Sequence, residues 1–153
     1  MATDAPVARN RKALHDYEIL ETFEAGLVLA GPEVKSIRSG RVNLKDGYAA
    51  LQGGELWLHN VHVSPYESAN RYNVDPTRPR KVLLHRSELR RLVGRAAEGG
   101  LTIVPLDLHF RRGYAKVTLG LARGKRRYDK RESLRRREME RDVERALREA
   151  QRG

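Results

Sequence analysis

The clearest alternation of apolar and polar positions lies late in the chain. Ala115, Val117, Leu119 and Leu121 alternate with Lys116, Thr118, Gly120 and Ala122, the period-2 signature of a half-buried strand. Residues 101–110 form an apolar run before it, with Pro105 marking an edge or a bulge, and Arg111-Arg112-Gly113 turns the chain between the two. Nearer the start, Tyr17, Ile19, Glu21 and Phe23 fall on one face of another strand, followed by a short apolar run over 25–30. Gly26 in that run marks a bulge or the close approach of a second backbone. Residues 47–51 and 55–63 flank Gly53-Gly54 and read as a β-hairpin, because a glycine pair supplies positive φ at the turn. Leu56 and Leu58 face one way, with Trp57, His59, Val61 and Val63 the other. That pattern predicts a strand covered on both sides.

Two segments carry helical signals. Residues 31–40 open with Pro32 and Glu33 and close with Gly40, the expected placement of those residue types. Val34 and Ile37 share one face, Lys35 and Arg38 a neighbouring one. Residues 87–97 place Leu89, Leu92 and Val93 inward and Arg90, Arg91 and Arg95 outward, ending at Gly99-Gly100. Val82-Leu83-Leu84 reads as buried. Residues 64–80, with Pro65, Pro76 and Pro79, form a long irregular loop, a length that usually has a function.

Strands dominate and no repeated strand–helix–strand unit appears, so a doubly wound parallel sheet is disfavoured. The pattern predicts a mainly β fold: a small antiparallel barrel of the oligonucleotide-binding type, with about three flanking helices. Residues 1–8 are small and polar and are expected to be disordered. Residues 9–123 form the barrel domain. Residues 124–153 form a basic tail whose apolar stripe (Met139, Val143, Ala146, Leu147 and Ala150) is too sparse for a helix to be stable alone. That tail is expected to be disordered in isolation and helical on a partner.

Charge then changes the picture. Thirty-one Lys and Arg against 20 Asp and Glu give a net charge of +11 over 153 residues, a field that attracts polyanions, nucleic acid foremost. The basic residues cluster at 9–12, at Lys35, Arg38 and Arg41, at 78–81 and at 123–127, with Tyr17, Tyr72 and Tyr128 close by. Cations neutralise phosphates and exposed aromatics stack on unpaired bases. The clusters single out Lys12, Arg80 and Lys81 as RNA contacts.

Other chemistry is poorly supplied. There is no cysteine, hence no disulfide or thiolate metal site. His15-Asp16 is adjacent rather than a triad, and His59 and His62 fall on opposite faces of a strand. His85 and His109 read as satisfied core or surface histidines. The start lacks the blocks of a signal peptide, and no apolar run approaches the ~20 residues that span a bilayer, which predicts a cytoplasmic protein without a membrane partner. Three readings remain: a non-enzymatic RNA-binding adaptor with no metal or cofactor, a general single-strand-binding or structural ribosomal protein, and a metal-dependent nuclease using Asp46, Asp107 and a histidine.

Six blocks carry a family resemblance: Asn10-Arg11-Lys12-x-x-His15-x-Tyr17-x-Ile19, Phe23-Glu24-Ala25-Gly26, Gly31-x-Glu33-Val34-Lys35-Ser36-x-Arg38, Asp75-Pro76-x-Arg78-x-Arg80-Lys81, Gly113-Tyr114-Ala115-Lys116-Val117 and Gly124-Lys125-x-x-Tyr128-Asp129-Lys130-Arg131. In order and over nearly the whole chain, they resemble small protein B, the SsrA-binding protein family of bacteria. The resemblance implies an oligonucleotide-binding-like barrel that binds the tRNA-like part of transfer-messenger RNA and delivers it to stalled ribosomes for trans-translation. It implies RNA-facing roles for Asn10, Arg11, Tyr17, Glu24, Lys35, Arg38, Leu83 and Lys116, with Lys125 and Arg126 beside them. It implies that Tyr128, Asp129, Lys130, Arg131, Arg135 and Arg137 enter the empty message channel near the decoding centre. Elongation factor Tu and alanyl-tRNA synthetase are implied as partners through the charged RNA, and the protein itself as a monomer.

Overall fold

The computed structural model describes residues 5–66 and 73–124. Along the chain run β1 (Ala8–Arg9), α1 (Arg11–Asp16), β2 (Tyr17–Leu27), α2 (Gly31–Arg38), β3 (Val42–Asn43), β4 (Tyr48–Gln52), β5 (Glu55–His59), β6 (His62–Val63), β7 (Arg80–Leu83), α3 (Arg86–Gly99), β8 (Thr102–Arg111) and β9 (Tyr114–Gly124). Contacts divide the chain into two units, Met1–Arg123 and Gly124–Gly153; of the second, only Gly124 lies within the described residues.

Seven strands form one sheet in the order β1-β8-β4-β5-β7-β2-β9, and β8 pairs with β9 as well, so the sheet returns on itself. This is the mainly β, oligonucleotide-binding-like architecture with three helices that the alternation predicts. β8 makes the closure possible. Its register against β9 shifts between Pro105 and Asp107, where proline has no N–H for the ladder and a bulge bends the strand. One end of β8 then pairs with β4 through Ala49 and Ile103, and the other with β1 through Ala8 and Leu108. Gly47 lets β8 approach, because a Cβ there would lie 2.8 Å from Pro105 Cγ.

The inward faces meet in one main core built on Phe23, Ala25, Leu56, Leu58, Val82, Leu108, Val117, Leu119 and Leu121. α2 adds Ile37 and α3 adds Leu92. α3 ends at Gly100, whose φ of 60° is the left-handed C-cap that the glycine pair signals. Its outward arginines hold it to β2: Arg91 Nη2 lies 2.8 Å from Glu21 Oε1, and Arg95 pairs with the other oxygen.

Several expectations change. Val7 and Ala8, expected in a disordered N-terminus, join the sheet edge: the Val7 N–H donates to Leu108 O, and Ala8 pairs with Leu108. The basic stretch after them is helical. Asn10 caps α1 by accepting from the Ala13 N–H at 3.0 Å. The run at 17–23 and the first part of the run at 25–30 merge into one strand, β2, which ends at Leu27 with Gly26 opposite Leu83. The 55–63 strand breaks at Asn60, whose φ of 58° is left-handed. Val61 and Val63 thereby join the same core as Leu56 and Leu58, instead of facing a second one. β6 pairs with β3 in a separate two-stranded sheet. Within Val82-Leu83-Leu84, only Val82 is buried and Leu83 is 49% exposed. A four-residue strand must alternate.

Candidate nucleic-acid interface

Alternation along three strands decides what faces outward. Phe23 and Ala25 are buried on β2, leaving Glu24 exposed. Val117 and Leu119 are buried on β9, leaving Lys116 half-buried on the other face. On β7, Val82 is inward and Leu83 outward. Because β7, β2 and β9 are consecutive in the sheet, Glu24, Leu83 and Lys116 line one concavity. Its volume is about 510 Å³, and Gly26, Leu84, His85 and Glu88 complete the wall. Gly26 lies against Leu83 in this wall: a Cβ at that position would sit at van der Waals distance, 3.4 Å, from Leu83 Cβ. Sequence spacing across 24, 83 and 116 gives no hint of this convergence.

The Glu24 carboxylate is fixed from behind. Its Oε2 lies 3.0 Å from His109 Nε2, and its Oε1 accepts from Arg111 Nη1 at 2.9 Å. His109 Nδ1 is 2.8 Å from Asp107 Oδ1, which also accepts from Thr118 Oγ1 at 3.0 Å. The chain Thr118–Asp107–His109–Glu24–Arg111 therefore holds the carboxylate in one orientation. A carboxylate has about four acceptor positions, so lone pairs remain for a donor arriving from solvent. His109 is thus the satisfied histidine the sequence suggests, though placed behind a candidate site. Asp107 is engaged in this chain and Asp46 pairs with Lys12 at 3.1 Å, so both carboxylates named for a nuclease have other partners. Among the described residues no group of three or more His, Cys, Asp or Glu could hold a metal ion.

The basic residues of the clusters sort into two kinds, exposed and inward-turned. Arg11 is exposed on α1, and Lys12 beside it makes the Asp46 contact. On α2, Lys35 Nζ lies 5.3 Å from the centre of the Tyr66 ring and Arg38 Cζ 5.0 Å from that of Phe110. Such cation–π contacts orient a long side chain while leaving its charge near water. Lys81 makes an exposed 3.1 Å pair with Glu55. Tyr17 is half-buried against the small cluster of Ala13, Val104, Leu106 and Ala122.

Asn10 and Arg80 depart from the expected RNA-facing role. Asn10 is 2% exposed; besides capping α1, its Nδ2 donates to Leu44 O at 2.9 Å and to Pro105 O at 2.8 Å. Arg80 is 1% exposed. Its Nε donates to Glu33 Oε2 at 2.6 Å, Nη1 to Val61 O at 2.7 Å and Nη2 to Pro76 O at 3.0 Å. Arg78 Nη2 reaches the other Glu33 oxygen at 2.5 Å. Two of the three basic residues of the clasp at 78–81 are therefore turned onto Glu33, because a buried carboxylate on α2 requires cationic partners. Burial opposes the ionised form of Glu33, but the bonds from Arg78, the Ala30 N–H and Arg80 outweigh it and hold the carboxyl below its ordinary value. Lys125, Arg126, Tyr128, Asp129, Lys130, Arg131, Arg135 and Arg137 lie outside the described residues.

Comparison with known proteins gives this surface a context. The model of the SmpB protein family matches residues 7–149. The SsrA-binding protein of Geobacillus kaustophilus is 60% identical over 145 residues, covering 95% of this chain and 94% of that one. The SsrA-binding protein of Listeria monocytogenes is 58% identical over the same length and shares. A solved structure described as "tmRNA-SmpB: a journey to the center of the bacterial ribosome" is 57% identical with a TM-score of 0.69, covering 82% of this chain and 89% of that one. Identity at this level over nearly the full length leaves one conclusion: the chain belongs to the SmpB protein family.

Proposed function

We propose that this chain binds the tRNA-like part of transfer-messenger RNA and delivers it to stalled ribosomes, as an adaptor without catalytic activity of its own. The observation that carries the reading is the convergence of Glu24, Leu83 and Lys116 on one concavity in a chain of net charge +11. Lys116 neutralises phosphate, Leu83 offers an apolar contact to a base or sugar, and the fixed Glu24 carboxylate accepts from a base amino group or a 2′-hydroxyl. Arg11, Lys12, Lys35, Arg38 and Lys81 supply the surrounding phosphate contacts, with Lys125 and Arg126 continuing them. Asn10 and Arg80 act in this reading through the stability of the fold, and Tyr17 from its half-buried position.

Residues 124–153 act separately in this reading. Tyr128, Asp129, Lys130, Arg131, Arg135 and Arg137 engage small-subunit RNA in the empty message channel near the decoding centre. The protein works as a cytoplasmic monomer, and elongation factor Tu and alanyl-tRNA synthetase meet it through the charged RNA. The relatives' names, SsrA-binding protein, and the description of the solved structure support the same partner.

The test is binding to refolded transfer-messenger RNA against unstructured RNA of equal length, at about 150 mM salt where nonspecific phosphate attraction is weakened. Strong preference for the folded RNA is expected. Equal, steeply salt-dependent binding to both would reduce the protein to a general basic RNA binder.

A further inference from the structure

The connection between β8 and β9 is a two-residue turn. Arg112 and Gly113 both have positive φ, 52° and 82°, the backbone that follows the twist of its strands and makes a tight hairpin rigid. This turn presents Tyr114, which is 70% exposed, whereas the other exposed large apolar side chains among the described residues are 39–49% exposed. Scattered apolar side chains on a surface are ordinary. The neighbours of Tyr114 are not. It stands opposite Arg111 in the β8–β9 ladder, and Arg111 is anchored on Glu24. Two residues further along β9, on the same face and roughly 7 Å away at strand rise, is Lys116, opposite His109.

The outward face that carries Glu24 and Lys116 thus runs on to the hairpin tip and ends in an aromatic ring beside Arg111 and Arg112. Cations flanking an exposed ring are the combination that recognises unpaired nucleotides: the charges take phosphates, and the ring face takes a base whatever its identity. We propose that Tyr114 is a stacking platform for an unpaired nucleobase of the bound RNA, at the hairpin end of the Glu24–Lys116 face. This rests on the RNA-binding reading above and adds to it a second subsite with its own ligand class.

The experiment uses the full chain, with refolded transfer-messenger RNA and unstructured RNA of equal length as probes, across a salt series. Tyr114→Ala is expected to weaken binding roughly 5- to 150-fold, the span of one base–aromatic stack, and Tyr114→Phe to stay within about twofold of the parent. The slope of affinity against salt should not change in Tyr114→Ala, since no phosphate contact is lost, whereas Arg112→Ala should lower it by about 0.7–0.9. Parent-like binding of Tyr114→Ala to both RNAs overturns the platform. So does an equal loss in Tyr114→Phe, which would assign the effect to the hydroxyl. Should the parent chain fail to distinguish the two RNAs, the transfer-messenger reading falls by itself. Tyr114 is then decided on either RNA by whether alanine weakens binding and phenylalanine preserves it.

Discussion

Arg80 Nε donates to Glu33 Oε2 across 2.6 Å, and neither side chain reaches solvent. The pair joins β7 to α2, and through Val61 O and Pro76 O the same guanidinium also holds the segments before β6 and β7. Removing one member of a buried pair strands the other charge, which typically costs about 3–5 kcal/mol. Arg80→Ala should therefore lower unfolding stability by about that much in denaturant titration. RNA affinity, measured well below the midpoint of unfolding, should stay near the parent's. Lys81→Ala is expected to do the reverse. Its exposed pair with Glu55 contributes about 0–1 kcal/mol, so stability should hardly move while the salt slope of RNA binding falls by about 0.7–0.9.

The same carboxylate gives stability a pH dependence of known sign. Glu33 has a folded pKa below its ordinary 4.5 because bonds from Arg78, the Ala30 N–H and Arg80 overcome the opposing effect of burial. A depressed carboxyl contributes stability in full above its unfolded pKa, and loses it as pH falls through the folded value. Unfolding followed from pH 7 downward should show the parent losing stability below about 4.5. Glu33→Gln, less stable at neutral pH, should show a flatter curve over that window. Parallel curves for the two proteins would mean Glu33 is not the group responsible.

Asn10 supports a third expectation. Its side chain accepts from the Ala13 N–H and donates to Leu44 O and Pro105 O. Loss of an ordinary cap costs about 1 kcal/mol, and each buried acceptor left without a donor costs about 1–3 kcal/mol more. Asn10→Ala should accordingly destabilise by clearly more than a cap, while Asn10→Asp restores only the capping half. Denaturant unfolding of both variants measures the difference.

These residues also show what was legible in the sequence and what was not. Period-2 alternation located β9, an apolar run located β8, a glycine pair located the β4–β5 turn, and Pro105 signalled the bulge, because each is a local requirement of the backbone or its burial. The cap of α1 was equally local. Asn10 stands three residues before Ala13 in the pattern of an N-cap, whereas the family resemblance implies an RNA-facing role for it. The inward turn of Arg80 could not be read, since its partner lies 47 residues away and a basic run looks the same whether solvated or paired. Leu83 looked buried among apolar neighbours; only strand pairing fixes which member of such a run faces out. The His109–Glu24 contact likewise spans 85 residues, and the tertiary fold alone brings them together.

Within the concavity, Glu24 and Lys116 should fail differently. Glu24→Gln keeps the shape but gives up a charged acceptor, whose hydrogen bonds contribute about 1.5–3 kcal/mol. Affinity for folded transfer-messenger RNA should fall roughly 10- to 150-fold with the salt slope preserved. Lys116→Ala should weaken binding to any RNA and reduce the slope by about 1. A common loss of slope in both variants would show Glu24 acting only through the positions of Arg111 and His109, not by contacting RNA.

The last expectation separates the body from the tail. β9 ends at Gly124, and the residues lining the concavity all lie between 24 and 116. Ending the chain after Gly124 removes no strand of the described residues and no residue lining the concavity, so the truncated protein should fold and keep most of its affinity for transfer-messenger RNA. The missing part is a modest one: the phosphate contacts of Lys125 and Arg126, seen as a salt slope lower by about 1–2. Peptide tagging on stalled ribosomes should nevertheless be abolished, because the residues proposed for the message channel, Tyr128 to Arg137, are gone. Tagging at parent rates would remove the tail from the mechanism. Loss of tight RNA binding would move part of the RNA interface into residues 125–153 and end the division of labour.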